Sequence, residues 1–132
     1  MARLKYILDT HACLWAAVDE DRLGAKAARA IAVTPYEQLA VSDVSLQEIG
    51  LLFHSGKIAF KAGSAAAVLR RILDHVTVLP ISLEIAIMAP ALALPHGDQF
   101  DRIITATAKV HSVPLITKDA NIIDASLVAT VW

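Results

Sequence analysis

Hydrophobic positions along the chain alternate between two patterns. Short apolar runs of strand length stand at Leu4 to Leu8, Leu39 to Ser42, Val76 to Ile81, Val113 to Thr117 and Leu127 to Val131. Between them apolar residues recur at helical spacing. This predicts helices from the Cys13-Leu14-Trp15 stretch to Val18, over Ala25 to Val33, from Ser45 to His54, from Ala65 to His75, from Ser82 to Ala93 and over Asp98 to His111. The last is the clearest, with Phe100, Ile103, Ile104 and Thr107 on one face. Punctuation agrees. The second helix stops before Pro35, Gly56 supplies the exit of the third, and Pro80 makes the third strand short or an edge. Pro90 should kink the fifth helix or end it early. Ile58 to Gly63 reads as a connector, Leu94 to Gly97 as a loop, and Lys118 to Asn121 as a turn. Strands alternating with helices predict a single α/β domain. Its mostly parallel central sheet has four to five strands, with helices on both faces.

Composition narrows the class without naming a function. The chain has 132 residues, 56% of them hydrophobic, enough for a core without covalent staples. Cys13 is the only cysteine, so no internal disulfide framework exists. The Met1-Ala2-Arg3-Leu4-Lys5 start leads into a strand and does not read as a signal peptide. No apolar run approaches the roughly 18 residues of a membrane span. These features predict a soluble, cytoplasmic protein with no membrane partner, its apolar surplus available for an oligomer or partner interface. Net charge is −1, which does not mark a nucleic-acid binder. The distribution adds one feature. Between Glu48 and Asp74 there is no acid, and the bases are Lys57, Lys61, Arg70 and Arg71. That segment reads either as a solvated face or as a surface for RNA or a protein partner.

The acids carry the candidate chemistry. Asp9 ends the first strand, near the middle of the predicted sheet. Glu48 follows the second strand, in the first turn of its predicted helix. Asp101 lies in the first turn of the helix before the fourth strand, and Asp119 comes two residues after that strand. In parallel sheets, ligands collect beyond the carboxyl ends of the strands, where these acids converge. Each also has a plain structural reading. Asp9 can cap a helix, Ser45-x-x-Glu48 fits a capping box, Asp98 can cap the helix in which Asp101 complements the dipole, and Asp119 suits a turn. Taken together, clustered carboxylates require a cation or protonation. Oxygen-only ligands select a hard ion such as magnesium or manganese. Acids holding such an ion beside an activatable water outline a phosphodiester hydrolysis site.

Four stretches then resemble one family. They are Leu8-Asp9-Thr10-His11 with Leu14-Trp15; Val41-Ser42 through Ser45-Leu46-x-Glu48-Ile49 with Gly56-Lys57; Asp98-x-Phe100-Asp101-Arg102-Ile103-Ile104-x-Ala106-x-Ala108; and Pro114-Leu115-Ile116-Thr117-x-Asp119. In this order and spacing the chain resembles the PIN-domain ribonucleases, specifically the VapC-type toxins of bacterial toxin–antitoxin pairs. The resemblance spans nearly the whole chain and implies one PIN domain over residues 1–132. It implies a metal-dependent endoribonuclease using Mg2+ or Mn2+, with a catalytic quartet at Asp9, Glu48, Asp101 and Asp119. Asp9, Asp101 and Asp119 would hold the metal, and Asp98, Thr10 and Thr117 would support the acids. It further implies an RNA substrate, a VapB-type antitoxin partner, and a homodimer that assembles further with the antitoxin. Two positions depart from the family's pattern. Gln99 replaces a proline that only presets a first-turn angle. Leu52 replaces a lysine and removes a cation that would balance the acids or touch a phosphate.

Beyond the quartet, Arg102 is a candidate phosphate contact or a salt-bridge partner of a neighbouring acid. His11 is a candidate substrate contact or a packing partner of Trp15. Trp15 itself reads as core or dimer interface, and Lys57 as a further substrate contact. His96 and His111 show no metal-ligand spacing. Three rival readings fit less well. A haloacid-dehalogenase-type phosphatase would use Asp9 as nucleophile and Lys118 as its cation, but it needs a second Asp where His11 stands. A receiver module lacks its paired acids before the first strand's Asp. A non-catalytic RNA- or partner-binding module has no need of all four acids.

Overall fold

The computed structural model describes residues 3–58, 63–95 and 98–132. Its centre is a five-stranded sheet of β1 (Tyr6–Leu8), β2 (Leu39–Ser42), β3 (Thr77–Leu79), β4 (Leu115–Ile116) and β5 (Thr130–Val131). The strand order is β3-β2-β1-β4-β5 and every pairing is parallel. β1 is therefore central and β3 an edge, where Pro80 just beyond it leaves no ladder bond missing. The register sets Leu8 opposite both Val41 and Ile116. The residues that follow, Asp9, Ser42 and Thr117, emerge along one edge.

Alternation along the strands divides the interior in two. Leu8, Leu39, Val41 and Ile116 point to one face, packed by α1 (Thr10–Val18), α2 (Ala25–Val33), α3 (Asp43–His54) and α4 (Ala65–Leu73). Ile7, Ala40 and Leu115 point to the other, against α6 (Gln99–His111) and α7 (Ala120–Ala125). A smaller cluster joins α5 (Leu83–Met88) to α6 through Ile85, Ala89 and Ala106. Ile7, Leu8, Leu115 and Ile116 are wholly buried, each contributing about 1.5–3 kcal/mol. Among the described residues, no helix is long and apolar enough to cross a membrane.

Several boundaries differ from the sequence reading, each for a local reason. α1 begins at Thr10, because Asp9 itself is the N-cap. α3 begins at Asp43, not Ser45. β2 hands over to it directly, and the Ser42 hydroxyl accepts the Val44 amide as the cap. Ser45 is wholly buried inside the helix, so the Ser45–Glu48 capping box does not form, and Glu48 lies in the second turn. The fifth helix ends at Met88 and tightens into a 3-10 turn over Ala89–Ala91, around Pro90. The turn expected at Lys118 to Asn121 opens α7, since Asp119 caps it. Lys61 and His96 lie outside the described residues.

Candidate active site

The edge where β1, β2 and β4 end opens into a cavity of about 390 Å³. Five carboxylates line it: Asp9, Glu48, Asp98, Asp101 and Asp119. Thr10, His11, Trp15 and Lys118 complete the wall. The structure thus gathers all four quartet residues and Asp98 into one place.

Backbone geometry aims most of them. Asp9, Asp98 and Asp119 are N-caps of α1, α6 and α7, each accepting helix amides with one oxygen. Asp9 Oδ1 takes Ala12 N at 2.8 Å, Asp98 Oδ1 takes Phe100 N at 3.0 Å and Asp101 N at 3.2 Å, and Asp119 Oδ1 takes Ile122 N at 3.0 Å. The capping and site readings are therefore compatible. A cap engages part of a carboxylate's four lone-pair positions and leaves the rest facing the cavity. Asp101 rides on the first turn of α6 behind the Asp98 cap.

Two threonines tie the acids together. The Thr117 hydroxyl donates to Asp9 Oδ2 and accepts the Asp119 amide at 3.0 Å, joining the strand ends of β1 and β4. The Thr10 hydroxyl donates to Glu48 Oε1 and meets the Ser45 hydroxyl at 3.0 Å. Glu48, freed from capping, is held from α1 instead of from its own helix.

Charge crowding is the site's electrostatic signature. Asp101 is pushed up to about 7, first by desolvation and then by Asp98, Asp119 and Glu48. Burial raises Glu48, against the Thr10 hydrogen bond. Burial also raises Asp9, against its bonds from Thr117 and Ala12. A hard divalent cation relieves all of these at once, and the donors are oxygens of the kind such a cation selects. Among the described residues no three His, Cys or acidic side chains already converge as a closed shell. The donor set fits a magnesium or manganese ion.

The remaining sequence candidates divide. His11 lines the cavity, its ring 5.5 Å from that of Trp15. Trp15 is 6% exposed and belongs to the core while also lining the site. Arg102 points elsewhere. Its guanidinium donates to the carbonyls of Leu92 at 2.7 Å and Leu94 at 3.0 Å, and it lines a separate cavity with Ile81, Pro90 and Ile103. Lys57 is exposed past the end of α3 and does not reach the site. Lys118 is the residue sequence reasoning passed over, having weighed it only for a rival chemistry. Its position between Thr117 and Asp119, just beyond β4, was the available signal.

Comparison with known proteins identifies the family and the fold. The PIN domain family model matches residues 6–127. Ribonuclease VapC22 of Mycobacterium tuberculosis (strain ATCC 25618 / H37Rv) is 34% identical over 116 residues, covering 86% of this chain and 85% of the relative. The fold is similar to that of DNA-bound VapBC from Salmonella typhimurium, with a TM-score of 0.72, 16% identity and 96% of both chains covered. It is also similar to Mycobacterium tuberculosis VapC20, a sarcin-ricin loop cleaving toxin, with a TM-score of 0.65, 15% identity, and 92% of this chain and 95% of that chain covered.

Proposed function

The chain belongs to the PIN-domain family, and on that premise we propose that it is a metal-dependent endoribonuclease acting as the toxin of a VapBC-type pair. The observation that carries this reading is the convergence of five carboxylates on one cavity with Asp101 held near neutrality. The likeness to a named ribonuclease across most of both chains supports RNA as the substrate.

In this mechanism Asp9, Asp101 and Asp119 would hold magnesium or manganese, with Asp98 assisting through the α6 cap. A bound ion of this kind supplies Lewis-acid chemistry, acidifying a water and stabilising charge on the departing oxygen. Thr117 keeps Asp9 and Asp119 in register, so the two strand ends act as one donor unit. Glu48, oriented by Thr10, or Asp119 receives the proton of the attacking water, which displaces the leaving oxygen in line. His11 lies on the wall where a bound nucleotide would pass.

VapBC complexes among the structural neighbours support a VapB-type antitoxin as the partner. A homodimer, a cytoplasmic location and a single PIN domain over residues 1–132 complete the reading. Cleavage of a mixed pool of structured RNAs tests it. Discrete cuts with manganese or magnesium should vanish with EDTA and in Asp9→Asn. That substitution should lower the rate by more than the roughly 100-fold lost with an outer-shell partner. Cuts that persist in EDTA would refute the metal mechanism.

A further inference from the structure

Two cations stand on the Trp15 ring, and they differ in what else they touch. Arg22 lies 5.0 Å from the ring centroid and pairs with Asp19 at 3.9 Å. Lys118 lies 4.8 Å from the same centroid, and among the described residues no carboxylate is within ion-pair distance of it. Yet Lys118 lines the cavity that holds five acids. An ammonium beside so many carboxylates would ordinarily fold onto one of them. Here the face of Trp15 keeps it at the rim, where the ring quadrupole attracts the charge without accepting its N–H bonds.

The platform is rigid. Trp15 is almost fully buried, and Trp132 stacks edge-on against it at 5.8 Å. Trp132 in turn sits on Gly24, where any Cβ would come within 2.5 Å of its ring. Lys118 is thus a cation whose donors meet no acceptor among the described residues, held off the acids, at the mouth of a site whose proposed substrate is a polyanion. The chain also lacks a cation at position 52, where Leu52 stands one turn beyond Glu48.

We propose that Lys118 grips an RNA phosphate at the mouth of the acid cavity and that Trp15 is the positioning residue that keeps it there. This rests on the ribonuclease reading and adds the residue that engages the backbone of the substrate. The contact is made to substrate and transition state alike, so it acts on KM more than on kcat.

The test uses the shortest RNA that the wild-type protein cuts, together with equilibrium binding of a fluorescent single-stranded RNA of mixed sequence. Lys118→Met should raise KM about tenfold with kcat near wild type. It should also flatten the dependence of log(kcat/KM) on log salt by roughly 0.7, the signature of one lost phosphate contact on a single strand. Lys118→Arg should restore both. Trp15→Leu should move KM and the salt slope in the same direction, and the double variant should add little, because one contact is removed either way. Arg22→Ala, whose charge is paired with Asp19, should leave the slope unchanged. A folded Lys118→Met protein with wild-type KM, RNA affinity and salt slope would overturn the assignment and leave the ribonuclease reading standing. A wild-type protein that neither cuts nor binds RNA would instead refute the ribonuclease reading and the assignment with it.

Discussion

Two of the cavities among the described residues are close in size and opposite in chemistry. One, about 390 Å³, is walled by five carboxylates at the carboxyl ends of the central strands. The other, about 440 Å³, is bounded by Ile81, Ala86, Ala89, Pro90 and Ile103, with Arg102 as its charged group. In the second, the guanidinium is satisfied internally by the carbonyls of Leu92 and Leu94. In the first, the charges are organised but not satisfied. Helix amides and two threonines orient the acids, yet among the described residues none of them is ion-paired, and burial together with the neighbouring acids drives Asp101 to about 7. Volume does not separate a site from a surface hollow here. An electrostatic demand that the protein leaves unmet does.

The largest effect expected inside this contrast comes from the link between strands. Thr117→Val removes the hydroxyl that joins Asp9 to Asp119 while keeping shape. Manganese affinity or cleavage should fall by about 10–100-fold with the fold intact, read by calorimetry and circular dichroism. An unchanged affinity would mean that the acids need no such tether. Arg102→Ala probes the other cavity. It strips two carbonyls of their charged donor, so thermal unfolding should show a loss of about 1–3 kcal/mol, with manganese affinity retained. A large loss of metal binding there would erase the distinction between the cavities.

A further effect is a slope in pH. Asp101 ionises near 7 in the folded chain and near 3.8 when unfolded, so the unfolded state gives up its proton first. Stability of the metal-free protein is then greatest below about pH 4 from this group and declines as pH rises toward 7. Asp9 and Glu48, also raised, act with the same sign. Manganese affinity should run the opposite way, rising as the acids deprotonate. Melting curves across that range, with and without manganese, read both trends.

Much of this was legible in the sequence because it depended on strand–helix junctions. Asp9 and Asp119 follow apolar runs, and parallel strands bring such junctions to one edge whatever the loops do. The central place of the first strand was legible in the same way, and Pro80 marked the third strand as short or an edge. What escaped depended on contacts between distant segments. Glu48 looked like the end of a capping box. Only burial of Ser45 against α1 shows that its partner is Thr10, 38 positions away. Arg102 looked like a phosphate contact or an ion-pair partner, because carbonyls offered by a loop leave no trace in side-chain identity. α7 read as a turn because the residues that make turns also make N-caps. Lys118 was visible, but its role depends on a tryptophan more than a hundred positions earlier.

The central claim is that the five-acid cavity is an electrostatic vacancy for a divalent cation, and Asp101→Asn tests it most directly. The substitution removes one crowded charge and one ligand together. Melting of wild type and variant near pH 7.5, with and without manganese, should therefore cross over. The metal-free variant should melt at or above wild type, since repulsion is relieved, while the rise in Tm that manganese gives the wild type should largely disappear. A variant that melts lower than wild type without metal and keeps the full manganese shift would contradict the claim.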